Sequence, residues 1–165
     1  MKKLLYSLLS AFLCCAMSLA QEVWEPMADS AAIVTSGKAR FTVLTPQLIR
    51  IQYSGTSKFE ERATFAVVNR KLPVPRFSQR EEDGMLIIET DSLTLTYRVG
   101  SSITKAVNSR NLRITFNLNG KNKLWYPGKD DALNLLGTNR TLDGAIGDTH
   151  RSMLENGILS RDGWA

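Results

Sequence analysis

With 165 residues, 43% of them hydrophobic, the chain is long enough for one domain with a sizeable core and too short for several. Its 21 Lys and Arg against 16 Asp and Glu give a formal net charge of +5, which falls to +3 once Lys2 and Lys3 are set aside. The remaining basic residues are scattered over strands and turns, which argues against a nucleic-acid-binding stripe and for ordinary solvated surface.

Residues 1–20 read as a secretory signal peptide: Met1-Lys2-Lys3 supplies the charge, Leu4 to Leu13 the apolar run, and Ser18-Leu19-Ala20 the small-residue end. Cleavage is predicted after Ala20, leaving Gln21 first and placing the protein in a periplasmic or extracellular compartment. The apolar run is shorter than the roughly 20 residues a spanning helix needs, and no later segment comes close, so no membrane span is expected after maturation. A retained N-terminal anchor is the alternative. Cys14 and Cys15 both lie in the leader, so the mature chain is expected to depend on packing, with no disulfide. Leu13 directly before Cys14 disfavours lipid attachment.

From Ile33 onward the hydrophobic pattern has period two, as half-buried antiparallel strands require. Phe41 and Val43 alternate with Arg40 and Thr42; after Pro46-Gln47, Ile49, Ile51 and Tyr53 form the return strand of a hairpin, followed by a turn at Ser54 to Ser57. Arg62 to Val68 reads as a further strand, and Leu72-Pro73-Val74-Pro75 as an edge or connection, because proline cannot donate to a ladder. Asp83-Gly84 marks a turn before two apolar runs, Met85 to Glu89 and Leu93 to Val99. The clearest alternation is Leu112, Ile114, Phe116 and Leu118, closed by Asn119-Gly120. That dipeptide favours a type I′ turn and returns Leu124-Trp125-Tyr126 on the preceding strand. Short strands with regular turn signals, no long helix and no internal repeat predict an all-β antiparallel sandwich over residues 21–128. The alternation then stops, and residues 129–165 read as one irregular segment whose leucines, isoleucines and glycines suit folding against something else.

Two stretches of that segment, Leu136-Gly137-Thr138-Asn139-Arg140-Thr141-Leu142-Asp143-Gly144 and Leu154-Glu155-Asn156-Gly157-Ile158-Leu159-Ser160-Arg161-Asp162-Gly163-Trp164-Ala165, resemble the junction before the catalytic barrel in glycoside hydrolase family 31. The strand-rich region ahead of them is similar in arrangement to that family's galactose-mutarotase-like N-terminal β-sandwich. The resemblance implies the non-catalytic N-terminal part of a secreted retaining glycosidase acting on α-linked glucosides or xylosides. Its partners would be an α-linked oligosaccharide and a (β/α)₈ barrel that carries both catalytic aspartates and is expected beyond Ala165. By itself this part is expected to be inactive. A free-standing carbohydrate-binding sandwich, or an inactive structural fragment, are the other readings.

Glycosidases need two carboxylates across the scissile bond. Asp130-Asp131 and Glu81-Glu82-Asp83 sit in turn contexts and read as solvated loop acids; Asp148 lies in the irregular segment. Asp143 and Asp162 stand out because each adjoins a glycine, with Arg140 and Arg161 close by, and an arginine can hold a carboxylate ionised for hydrogen bonding to hydroxyls. Asp143, Arg140, Asp162 and Trp164 are therefore the candidate substrate-contacting residues, the plainer alternative being that they tie the segment to a neighbouring domain. Trp164 would need a cover for its ring, expected from outside the chain, and Trp125 reads as core. His150 is the only histidine, no G-x-S-x-G elbow is present, and neither Gly-rich phosphate signature occurs, so no metal, cofactor or hydrolytic triad is predicted. Asn139-Arg140-Thr141 is a glycosylation sequon that matters only in a eukaryotic secretory pathway.

Overall fold

The computed structural model describes residues 24–104, 108–137 and 156–164. Among them are eight strands in two antiparallel sheets and, as the only helical element, a single 3₁₀ turn at Ser30–Ala32. The turn is capped by the Asp29 carboxylate, which accepts from the Ala31 N–H at 2.8 Å. The first sheet contains β1 (Ile33–Ser36), β2 (Ala39–Thr45) and β3 (Leu48–Tyr53) in that order. The second contains β4 (Phe77–Glu82), β5 (Met85–Thr90), β6 (Leu93–Arg98), β7 (Leu112–Leu118) and β8 (Lys121–Trp125), again in chain order. The chain is thus an all-β antiparallel sandwich, as its alternation predicts.

Period two decides which side chains meet between the sheets. From β2 come Ala39, Phe41 and Val43, and from the facing sheet Leu86, Ile88, Leu95, Tyr97 and Leu112. The Phe41 and Tyr97 rings pack at 5.2 Å between centroids, tilted by 55°. The Tyr97 hydroxyl donates to the Ser101 carbonyl at 2.6 Å, and burial raises its pKa. Two hairpins turn through a pair of left-handed residues: Asp83-Gly84 at φ 51° and 71°, and Asn119-Gly120 at 52° and 78°. These fix the registers Glu82 opposite Met85 and Leu118 opposite Lys121.

The outer face of β2 is buried too: Arg40, Thr42 and Leu44 all lie under cover. The connection between β3 and β4 runs over this face. Arg40 stacks on the Phe59 ring at 4.6 Å, pairs with Glu61, and donates through Nε and Nη2 to Gln52 Oε1. Arg50 and Gln52 both donate to the Glu60 carbonyl. Arg70, 2% exposed, holds the crossing with a guanidinium that donates to the Pro26, Glu61 and Arg62 carbonyls at 2.8, 3.2 and 2.6 Å. Burial first, then the neighbouring Arg70 and Arg40, lowers the pKa of Arg50.

Two expectations need correction here. Residues 62–68 form no strand; they belong to this strap, held by the Arg70 clasp and by paired backbone bonds between Thr64 and Val67 at 3.2 Å. The strand before Asp83-Gly84 is instead Phe77–Glu82, an edge strand that is polar on both faces beyond its first residue. Arg80 there pairs with Glu89 on β5, a charged edge of the kind that discourages pairing with other chains. Among the described residues no helix is long and apolar enough to cross a membrane.

Candidate interaction site

Three strands cannot cover five. The inward side chains of β3 (Ile49, Ile51 and Tyr53) stay half-buried, and beyond them, among the described residues, no strand faces the inner side of β7 and β8. Residues 156–164 close part of this side as a clip. Asn134 and Ser160 form an isolated antiparallel bridge, flanked by Leu135 N–H donating to Leu159 O at 2.9 Å and Arg161 N–H to Leu133 O at 3.0 Å. The Asn134 amide accepts from Gly157 N–H at 2.8 Å and donates to Gly157 O at 3.0 Å. Asp131 organises the turn beneath, accepting from Leu133 N–H and Ser160 Oγ, so it is a structural acid and not the solvated one expected.

The clip ends on the sandwich. Lys123 Nζ donates to Asp162 Oδ1 at 2.7 Å, and this contact first, with Lys129 and Lys121 nearby, holds the Asp162 carboxyl below its usual range. Gly163 follows at φ +84°, a left-handed conformation that favours glycine, and a Cβ there would also require the Leu118 side chain to shift. Trp164 then meets Trp125 edge to face, with centroids 6.4 Å apart.

Between β3 and this clip lies a cleft of about 640 Å³. Its walls are Leu48, Ile51, Phe116, Leu118, Trp125 and Trp164. The rim is polar: Gln47 Nε2 donates to Ser92 Oγ at 3.0 Å, and neighbouring Asp91 pairs with Arg76 at 3.2 Å. A second opening of about 260 Å³ continues along β3, sharing Ile51 and Trp125 and reaching Tyr53 and Ile103.

Of the residues singled out in the sequence, Asp162 and Trp164 come together on this side of the sandwich, each with a partner from β8. The cation on Asp162 is Lys123 of β8, while its neighbour Arg161 is exposed. Trp164 finds a cover within the chain, in Trp125, which is itself partly buried and outside the central core cluster. Arg140 and Asp143, with Asp148 and His150, lie outside the described residues. Trp24 is exposed. The buried Arg40 and Arg70, with half-exposed Glu61 between them, were not anticipated, since their partners are spread over residues 26–70 with no local spacing to reveal them. Among the described residues no group of His, Cys, Asp and Glu is placed to hold a metal ion. No protein-family model matches the chain, and no curated protein matches it in sequence.

Proposed function

We propose that the chain is the non-catalytic N-terminal sandwich of a secreted retaining glycoside hydrolase resembling family 31, acting on α-linked glucosides or xylosides and inactive by itself. One observation carries the reading. The stretch that resembles the family's junction, Leu159 to Trp164, is seated on the sandwich by Lys123, Trp125 and the Asn134 bridge, while the apolar residues at its start and on the bridged segment face outward. Ile158 is 82% exposed, and Leu133, Leu135, Leu136 and Leu159 are all exposed beside it. A segment anchored by these contacts with an outward apolar strip suits delivery of the chain to a neighbouring domain. The acids near it are occupied by structural contacts, Asp131 with Ser160 and Asp162 with Lys123, which supports a supporting role over a catalytic one.

The test is hydrolysis of p-nitrophenyl α-D-glucopyranoside and α-D-xylopyranoside, by the chain alone and by the product of the complete coding frame that contains it. No turnover is expected from the first and turnover of at least one substrate from the second. A complete product inert on both, or a frame without alternating strands and helices bearing aspartates at strand ends, removes the proposal. A carbohydrate-binding module is the second reading, favoured by the Trp125–Trp164 pair beside a polar rim. It requires the chain alone to bind an oligosaccharide in calorimetry.

A further inference from the structure

The outer face of the five-stranded sheet carries charges that its strands balance on one half only. Register sets the rows: Arg80, Ile87, Thr96 and Arg113 stand side by side across β4 to β7, and Met85 and Arg98 share the next row toward Gly84. On the β4–β5 half Arg80 is met by Glu82 at 3.6 Å and Glu89 at 2.7 Å. On the β6–β7 half no such closure occurs. The turn into β7 is ordered by Asn108 Oδ1, which accepts from the Arg110 N–H at 2.9 Å. Its successive carbonyls then accept from two guanidiniums, Ser109 O from Arg113 Nη1 and Arg110 O from Arg98 Nε, each at 3.4 Å. Those contacts are long, and they hold Arg98 and Arg113 near each other and near exposed Arg110. Among the described residues none of the three makes an ion pair. Glu82, in the row of Arg98, stands two strand spacings away, about 10 Å, and faces Arg80.

Beside this corner a groove of about 660 Å³ runs along β6, β7 and β8 from Arg113 to Asn117 and Asn122. One row of the sheet, Thr94, Thr115 and Leu124, forms its floor. The hydroxyls of Thr94, Thr115 and neighbouring Thr96 make no hydrogen bond among the described residues, and although Thr96 is only 7% exposed its hydroxyl is not sealed from solvent. Asn117 donates to Asn122 Oδ1 at 3.1 Å, which leaves the Asn122 amide N–H groups unmatched. No outward position of the five strands carries an aromatic ring, so the face offers no platform for stacking nucleic-acid bases. A row of unmet hydroxyls and amide next to uncompensated guanidiniums suits a ligand that is itself rich in hydroxyls and bears carboxylates.

We infer that the outer face of β6 to β8 binds an acidic saccharide, a chain of uronate residues whose carboxylates meet Arg98, Arg110 and Arg113 and whose hydroxyls meet Thr94, Thr115 and Asn122. Arginine takes a carboxylate through two parallel N–H bonds, which supplies orientation as well as attraction. This inference does not rest on the glycosidase reading, and it uses the face of the sheet opposite the Trp125–Trp164 pair.

The experiment is calorimetry on the full mature chain with three probes: a galacturonic acid hexasaccharide, neutral maltohexaose and hexathymidylate. The galacturonate is expected to bind with a Kd of about 0.1 mM and to weaken about tenfold between about 50 and about 200 mM salt. The other two should bind at least about tenfold more weakly. Arg98→Gln with Arg113→Gln should weaken galacturonate about tenfold or more and Thr115→Val about threefold, while Lys38→Gln with Lys71→Gln, an equal loss of charge elsewhere, should stay within about twofold. Thermal melts equal to the parent's show that each variant is folded. Absence of galacturonate binding up to about 5 mM overturns the inference, as does binding unchanged in the double arginine variant. Equal binding of hexathymidylate, or no effect of Thr115→Val, would reduce the face to plain charge attraction and overturn it as well. Maltohexaose binding as tightly as galacturonate would place sugar recognition at the tryptophan pair and remove it from this face.

Discussion

The two faces of the three-stranded sheet are finished differently. On the outer face, the strap from β3 to β4 buries Arg40 and Arg70, whose donors are met by Glu61 and Arg62 of the strap together with Gln52 and Pro26, leaving Arg70 Nε as the unmatched one. On the side that ends at β3, half-buried isoleucines border two clefts, and among the described residues no strand pairs with the outer edge of β3. Burying a guanidinium is costly unless its hydrogen bonds are met, so the strap is a commitment of the fold. The open side makes no such commitment. The contrast places the unfilled apolar surface at β3, β8 and the clip, and a closed polar layer at the strap.

The largest perturbation should not distinguish the two regions. Phe41→Ala removes a ring at the centre of the common core and is expected to cost about 4 kcal/mol in urea denaturation, loosening strap and clip together. Arg70→Ala should cost about 3 kcal/mol, because three carbonyls lose their donor under cover. Its signature is faster amide exchange in the strap with the clip unchanged; equal loosening of both would erase the contrast. Trp164→Ala should cost about 1 kcal/mol, the worth of an edge-to-face contact, and free the clip while leaving the strap protected.

Acid should reach the strap through Glu61. Arg40 holds this carboxyl below its usual value, so its contribution is present in full above the unfolded value of about 4.3 and is lost as pH falls through the lower folded value. Because the side chain is 42% exposed, the contribution is at most about 1 kcal/mol. Denaturation series at pH 7 and at pH 3 should show Glu61→Gln less stable than the parent at the first and closer to it at the second. Ile158→Ser should be the mildest change, within about 0.5 kcal/mol, since its side chain is almost fully exposed.

What could be read in advance was whatever is encoded locally. Asn119-Gly120 and Asp83-Gly84 specify their hairpins within a few residues, and the alternation from Leu112 to Leu118 names its inward face. Residues 62–68 misled because β-branched and aromatic composition suits a strand, yet nothing nearby pairs with them; their conformation is imposed by Arg70. Strand β4 was missed for the opposite reason: SQREE has no apolar alternation, and pairing with β5 alone makes it a strand. At the candidate site, Asp162 and Trp164 were identifiable beside their glycine, but Lys123 and Trp125 as their partners depend on a contact spanning 39 residues. Such contacts leave no mark in local spacing.

Every strand in both sheets pairs with its neighbour in sequence. Chain closure between partners is therefore cheap in entropy, and each sheet can zip from its turns without waiting for distant segments. Sandwiches with strands exchanged between sheets fold slowly by comparison. Here the late events reduce to docking one meander on the other and seating the strap and clip, which predicts early protection in the hairpins and a rate fast for an all-β protein.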